Sequence, residues 1–414
     1  MIAPGETGED ERMRRDVIVV GAGPAGSAAA CDLAARGCDV LLVDRCSFPR
    51  DKACGDGFTP GAIAILNELG LEAEIRAAQF YPINGIRIGT PGGRTWETSF
   101  RAKREGAAFY IAPRFRLDAM VQRRAVELGA EFVRADVKSF LRRDGRIGGV
   151  VMRATDGAET PVESRIVIGA DGATSAVARA LRDGRRQPPE KRAVAVRAYL
   201  DGIETLPHCV EFYFDRRFLP GYGWIFPLGE RSANVGVFVR ADLLAKRGLT
   251  LTVLLDAFLE TPPVRGRLLP EHRIRDVKSW QLALGRCGLM RRAGDGVLLV
   301  GDAAGLVDPL RGEGIRNALV SARIAADVAS DALRRNDASY AVLAEYERRC
   351  EHIIGPSLCR SHRVERWVAN SPWRVNALFA IANRAPKCFD WFLNRLTNDF
   401  AIGAGERDQG HGAL

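Results

Sequence analysis

Residues 16–26 read Asp16-Val-Ile-Val-Val20-Gly21-Ala-Gly23-Pro-Ala25-Gly26, and the fold is decided there. The uninterrupted β-branched run predicts a parallel strand buried on both faces. The three glycines open an Ala-rich stretch, 27–36, that predicts a helix, and a second apolar run over 39–43 ends at Asp44, followed by Arg45. The glycines serve different ends. Gly21 permits the tight turn, Gly23 lets a pyrophosphate approach the backbone, and Gly26 lets helix and strand pack closely. The helix N-terminus adds positive potential. Asp44 stands 18 residues beyond the last glycine, where a carboxylate can hold the ribose hydroxyls of an adenosine. A dinucleotide binds this unit, with NAD and FAD unseparated by the fingerprint itself.

Outward from this unit, periodicity predicts helices over 61–79, 115–129, 250–260 and 313–334. Short alternating runs between Gly/Pro turns predict antiparallel strands over 81–110 and across 191–289. The nucleotide fold is thus interrupted twice. Residues 1–80, 111–190 and 290–340 form a Rossmann-type α/β FAD-binding domain once the dinucleotide is assigned below. Residues 81–110 and 191–289 form an interleaved antiparallel β-sheet substrate domain, and 341–414 a C-terminal helical segment.

Of the 414 residues 47% are hydrophobic, enough for a large core, yet no apolar run reaches the length of a membrane span. The polar first residues carry no signal region, so a secreted, integral-membrane or disordered protein is not expected. The net charge of +9 comes without a basic stripe or a nucleic-acid module. It suits an anionic substrate or membrane surface rather than nucleic acid. Nine cysteines contain no C-x-x-C pair and the five histidines no ligand spacing, so neither a disulfide framework nor a metal is expected, and a reducing cytoplasm fits.

Two later motifs separate the dinucleotides. Gly169-Ala-Asp171-Gly172 ends one predicted strand, and Val300-Gly301-Asp302-Ala-Ala-Gly305 ends another, before Asp308-Pro309 and Gly312-Glu313-Gly314-Ile315. An aspartate at a strand end can hold a ribityl hydroxyl, and the following helix would aim its first amides at the pyrimidine end of an isoalloxazine. With these three ordered motifs the chain resembles flavoproteins of the p-hydroxybenzoate hydroxylase type over roughly residues 15–335. The resemblance implies FAD, with Arg114 of Arg114-x-x-Leu117-Asp118 near it.

Two further segments narrow the resemblance. Phe48-Pro-Arg-Asp-Lys-Ala-Cys54-Gly55-Asp56-Gly57 and Tyr222-Gly-Trp224-Ile-Phe226-Pro227 are similar to motifs of geranylgeranyl-reductase-like flavoenzymes, as is the segment 312–315. Among them, reductases of menaquinone side chains and of archaeal-type lipids are nearest. In that family a Gly-x-Gly follows the second motif. Here Gly236 is present but Phe238 replaces the second glycine, so a displaced backbone and an altered cavity are expected.

The resemblance implies hydride transfer from reduced FAD to a carbon–carbon double bond of an isoprenoid chain, which also needs a positioned acid. Cys54, Asp56, Tyr222 and Glu313 are the candidates, with Trp224 as a catalytic wall residue. Cys54 stands among glycines after Arg50 and Lys52, a setting expected to lower a thiol pKa. The electron donor, NADPH or a ferredoxin-like carrier, stays open because no second glycine fingerprint is present. Competing readings are a flavin monooxygenase or halogenase on the same fold, and a non-enzymatic flavin-binding lipid carrier. The segment 355–400 mixes seven aromatics with seven Arg/Lys against three acids. That composition suits either peripheral docking of a cytoplasmic protein at a membrane or a helical cap packed on the body.

Overall fold

A computed structural model of the chain describes residues 14–402 except 103–107, 186, 289, 369–370, 386, 388–390, 392 and 394–399. The strand Arg14–Val20 lies inside an eight-stranded sheet, parallel to Val40–Asp44 on one side and to Glu159–Gly169 on the other. Glu131–Arg134 and Val297–Leu299 extend the parallel order outward. Val17, Ile18 and Val19 are wholly buried, as an unbroken apolar run requires. The helix Pro24–Ala34 packs against Arg114–Glu127 and Ile315–Arg334. All three glycine motifs therefore sit at the carboxyl ends of parallel strands, where ligands bind in open α/β sheets.

The second sheet runs in the order Leu268–Ala283, Arg192–Ile203, Ser232–Arg240, Tyr222–Gly229, Cys209–Tyr213, Gly85–Gly89, Thr95–Ala102, Phe400–Ile402. It is antiparallel except where Cys209–Tyr213 lies parallel to Gly85–Gly89. That one departure from a wholly antiparallel sheet arises because the two strands come from separate excursions out of the nucleotide fold.

Two local expectations are corrected, and the helical C-terminal segment is found as expected with a short strand added. The helix over 61–79 is broken into Pro60–Leu66 and Glu72–Ala77 by a wide turn in which Gly70 takes φ +87°. The turn is held by Arg124 Nε, which donates to the Leu69 carbonyl at 3.0 Å. The C-terminal segment contains helices Tyr340–Ile353, Gly355–Val368 and Pro372–Arg384, but then returns to sheet at Phe400–Ile402. Finally, Cys287 and Cys359 form a disulfide across 72 residues, tying the loop after Leu268–Ala283 to the helix Gly355–Val368. Sequence spacing could not pair them, since only the fold brings that loop onto that helix. Cys31, Cys38, Cys46, Cys54, Cys209 and Cys350 are free, and Cys388 lies outside the described residues.

Candidate active site

The glycines of the fingerprint are there for close approach. Gly21 has φ +103°, and a Cβ on it would lie 2.5 Å from the Ala170 carbonyl oxygen. A Cβ on Gly26 would lie 1.8 Å from the Gly21 carbonyl oxygen. At Gly23 the nearest atom to such a Cβ is a guanidinium nitrogen of Arg50, at 3.4 Å. The loop presents bare backbone beneath a cation, which fits a pyrophosphate. Asp44 is half-buried and fixed by Ala22 N at 2.8 Å and Cys46 N at 2.9 Å, while Arg45 is exposed. Gly301 takes φ +58°, and a Cβ on it would sit 3.1 Å from the Ala25 methyl, so the first and third motifs touch. Asp302 and residues 312–315 line a cavity, and no side chain caps the helix Ile315–Arg334 that starts beside it.

Asp171 is placed differently. Its oxygens accept from Ser175 Oγ at 2.5 Å and Ala176 N at 2.6 Å, at the start of the helix Ala176–Leu181. It holds the loop in which Gly172 takes φ +78° and does not line the cavity. With Arg50 over bare backbone, Lys52 and Arg114 lining the cavity, and carboxylates at two strand ends, the residues fit FAD.

The cavity, about 370 Å³, runs from Pro24, Asp302 and Gly312 past an aromatic wall to the C-terminal helices. Tyr222, Trp224 and Phe226 project into it from one strand, paired across to Phe238, Gly236 and Asn234 respectively. Gly236 is bare because the indole of Trp224 lies over it: a Cβ there would be 2.3 Å from the ring. Phe238 keeps ordinary strand register, so the displaced backbone is not found. Its ring enters the cavity instead and stacks on Tyr222 with centroids 5.3 Å apart.

Cys54 lines the cavity beside this wall, which the adjoining Gly55 approaches closely. Burial pushes its thiol up, against the opposing pull of the Arg114 guanidinium and the Asp56 backbone N–H. The expected lowering is thus reversed, because the cations were legible in sequence and the burial was not. Arg114 is buried and forms a bidentate pair with Asp118 at 2.6 Å, which holds it charged beside the sulfur. Asp56 is wholly buried behind Cys54 and does not line the cavity. Its carboxylate accepts from Tyr199 Oη at 2.7 Å, Asn234 Nδ2 at 2.8 Å and Arg114 N at 3.3 Å. Burial raises it to about 6, against the hydrogen bonds from Tyr199 and Asn234 that favour its charged form.

Two other acid candidates are engaged elsewhere. The Tyr222 hydroxyl donates to the Arg311 carbonyl. The Glu313 carboxylate is held by Thr59 Oγ1 and by an Arg311 guanidinium nitrogen, each at 3.0 Å.

Sequence reasoning missed Asn234 and gave Asp308, quoted within its motif, no role. Asn234 is a fully buried polar side chain in the run Ala233-Asn234-Val235, and that anomaly was its signal. Asp308 is fully buried, organises the turn through Leu310 N and Arg311 N, and accepts from Ser361 Oγ at 2.6 Å. It thereby fastens the helix Gly355–Val368 to the motif loop.

The C-terminal helices combine both readings of their composition. Val364, Val368, Val375, Leu378 and Phe379 line the cavity, whereas Trp367, Trp373 and Trp391 are 46–66% exposed. Arg374 lies over the rings of both Trp367 and Trp373. Phe389, Phe392 and Arg395 lie outside the described residues. Among the described residues no helix is long and apolar enough to cross a membrane, and no cluster of His, Cys, Asp or Glu is arranged to hold a metal.

Known proteins agree with this geometry. Residues 14–361 match a family described as FAD binding domain. The chain is 34% identical over 362 residues to digeranylgeranylglycerophospholipid reductase 2 of Methanopyrus kandleri, covering 83% of this chain and 84% of that protein. It is 36% identical over 319 residues to the menaquinone reductase of Mycobacterium tuberculosis, covering 76% of each. Among solved structures, a geranylgeranyl bacteriochlorophyll reductase-like protein from Thermoplasma acidophilum superposes with a TM-score of 0.79 at 25% identity, over 92% of this chain and 99% of that one. With three motif loops, an aromatic wall and these relatives in agreement, the chain belongs to the geranylgeranyl reductase family of FAD-dependent oxidoreductases.

Proposed function

We propose that this enzyme reduces carbon–carbon double bonds of an isoprenoid chain. The observation that carries the reading is the cavity: a long apolar chamber that begins at the flavin-binding loops and has a half-buried thiol, Cys54, beside its aromatic wall. Bound FAD, once reduced, supplies a hydride to one alkene carbon. Gly21, Gly23, Ala25, Gly26, Asp44, Arg45, Arg114, Asp302 and residues 312–315 hold it, with Asp171 and Gly172 shaping their loop. Tyr222, Trp224 and Phe226 lay the chain flat against this site and keep water out. Cys54 gives its proton to the other alkene carbon. The thiolate left behind is stabilised by Arg114 and the Asp56 N–H, and then takes a proton from water.

An anaerobic experiment tests the whole reading. The bound flavin is reduced and a polyprenyl substrate added; flavin reoxidation with a two-mass-unit gain in the lipid is expected. Reoxidation only with O₂ would instead indicate a monooxygenase or halogenase, and no reoxidation a carrier. Reducing the flavin with NADPH in one arm and a ferredoxin-like protein in another identifies the donor.

The same reading includes docking at a bilayer. A polyprenyl chain loses about 0.8 kcal/mol for each methylene exposed to water, so taking it directly from lipid avoids a large cost. Trp367 and Trp373 are exposed on the helices Gly355–Val368 and Pro372–Arg384, whose inner residues line the chamber, and Trp391 is exposed beyond them. Co-sedimentation with vesicles is expected to rise with anionic lipid, weaken with salt, and fall when Trp367, Trp373 and Trp391 become Ala. Failure to bind anionic vesicles at low salt would leave these helices as a cap alone.

A further inference from the structure

Asn234 makes three hydrogen bonds from complete burial. Its Oδ1 accepts from Trp224 Nε1 at 2.9 Å, and its Nδ2 donates to the Cys54 carbonyl at 2.7 Å and to Asp56 Oδ2 at 2.8 Å. The amide has one orientation that satisfies all three, because turning it over would set N–H against N–H and oxygen against oxygen. The partners belong to different elements: Trp224 to the strand of the aromatic wall, Cys54 and Asp56 to the loop packed against it.

That loop needs holding. Asp56 takes φ +60°, a left-handed backbone that a residue with a side chain adopts at a cost. Gly55 lets the wall approach, since a Cβ there would lie 2.8 Å from the Phe226 ring. Asp56 is anchored from behind by Tyr199, whose ring lies under the Arg197 guanidinium at 4.2 Å, and Arg197 pairs with Asp51 at 2.6 Å. Asn234 is the bond from this anchored loop across to the wall.

We infer that Asn234 is a positioning residue, fixing the separation and orientation of the Cys54 loop relative to the Trp224 indole so that the thiol meets the alkene pressed on that wall. It touches neither flavin loops nor cavity, and it acts only through the groups it holds. The inference rests on Cys54 being the proton donor.

The test is a mutant cycle on full-length, FAD-loaded enzyme, read by anaerobic single-turnover reoxidation of reduced flavin. Asn234→Leu removes all three bonds at similar size. Turnover is expected to fall about 10²-fold, the effect of displacing a catalytic group by roughly 1 Å. FAD content should be unchanged and KM altered by less than about threefold. In the Cys54→Ala background the same substitution should cost nothing further, as for residues acting as one unit.

Asn234→Asp provides a second variant that keeps size and the indole bond but turns the donor toward Cys54 and Asp56 into an acceptor; the same loss is expected at neutral pH. Near-normal turnover in both Asn234 variants would overturn the inference, as would a further 10²-fold loss in the Cys54→Ala background. Full turnover by Cys54→Ala alone would instead remove the donor reading itself.

Discussion

Cys54→Ala is expected to slow flavin reoxidation by an isoprenoid substrate about 10²–10⁴-fold, the usual cost of losing one positioned acid. The protein should stay yellow. The glycine loops, Asp44 and Asp302 that fit the cofactor are untouched, and the substitution removes one sulfur from the lining of the chamber. The thiol is suited to donation because burial keeps it protonated, while Arg114 and the Asp56 N–H receive the charge once the proton leaves. Rapid-mixing absorbance at the flavin band measures the rate, and equilibrium titration of the apoprotein measures FAD affinity. A variant reoxidised at the wild-type rate would mean that Cys54 only lines the chamber and that the proton comes from another group or from water.

Gly26→Ala is expected to yield protein without bound flavin. The added methyl would lie 1.8 Å from the Gly21 carbonyl oxygen, a clash of backbone on side chain that no rotamer relieves. Either the turn at Gly21 opens or the helix Pro24–Ala34 moves away from its strand, and both destroy the cradle for a pyrophosphate. Gly23→Ala meets only the tip of the Arg50 side chain at 3.4 Å, so it should leave the fold intact and act on the ligand alone. Flavin absorbance per chain separates the two. A full complement of FAD in Gly26→Ala would show that the cofactor lies elsewhere.

The nucleotide fold was legible because its signals are local: a strand, three glycines, a helix and an acid within 29 residues, 16–44. The aromatic wall was legible for the same reason, through two-residue alternation in 222–226. Burial was not. The cations around Cys54 can be read off the chain, but the burial that overrides them arises only in the fold, where Trp224 and Phe226, roughly 170 residues away, pack beside the adjoining Gly55. The Cys287–Cys359 pair spans 72 residues and the bonds from Asn234 to Cys54 and Asp56 span about 180, and no spacing rule reaches that far. Gly70 was visible as a glycine inside a helical pattern, yet only the Arg124 guanidinium beneath it shows that the helix stops there.

The strand Phe400–Ile402 is zipped onto residues 100–102, roughly 300 residues upstream. Phe100, in that seam, lines the chamber. Three pairs are all that join this edge strand to its neighbour, so few backbone bonds would have to part for it to fray. The lipid compartment is thus hemmed by a short edge strand in a sheet separate from the nucleotide sheet, and a greasy chain longer than the resting volume would meet the fewest bonds there.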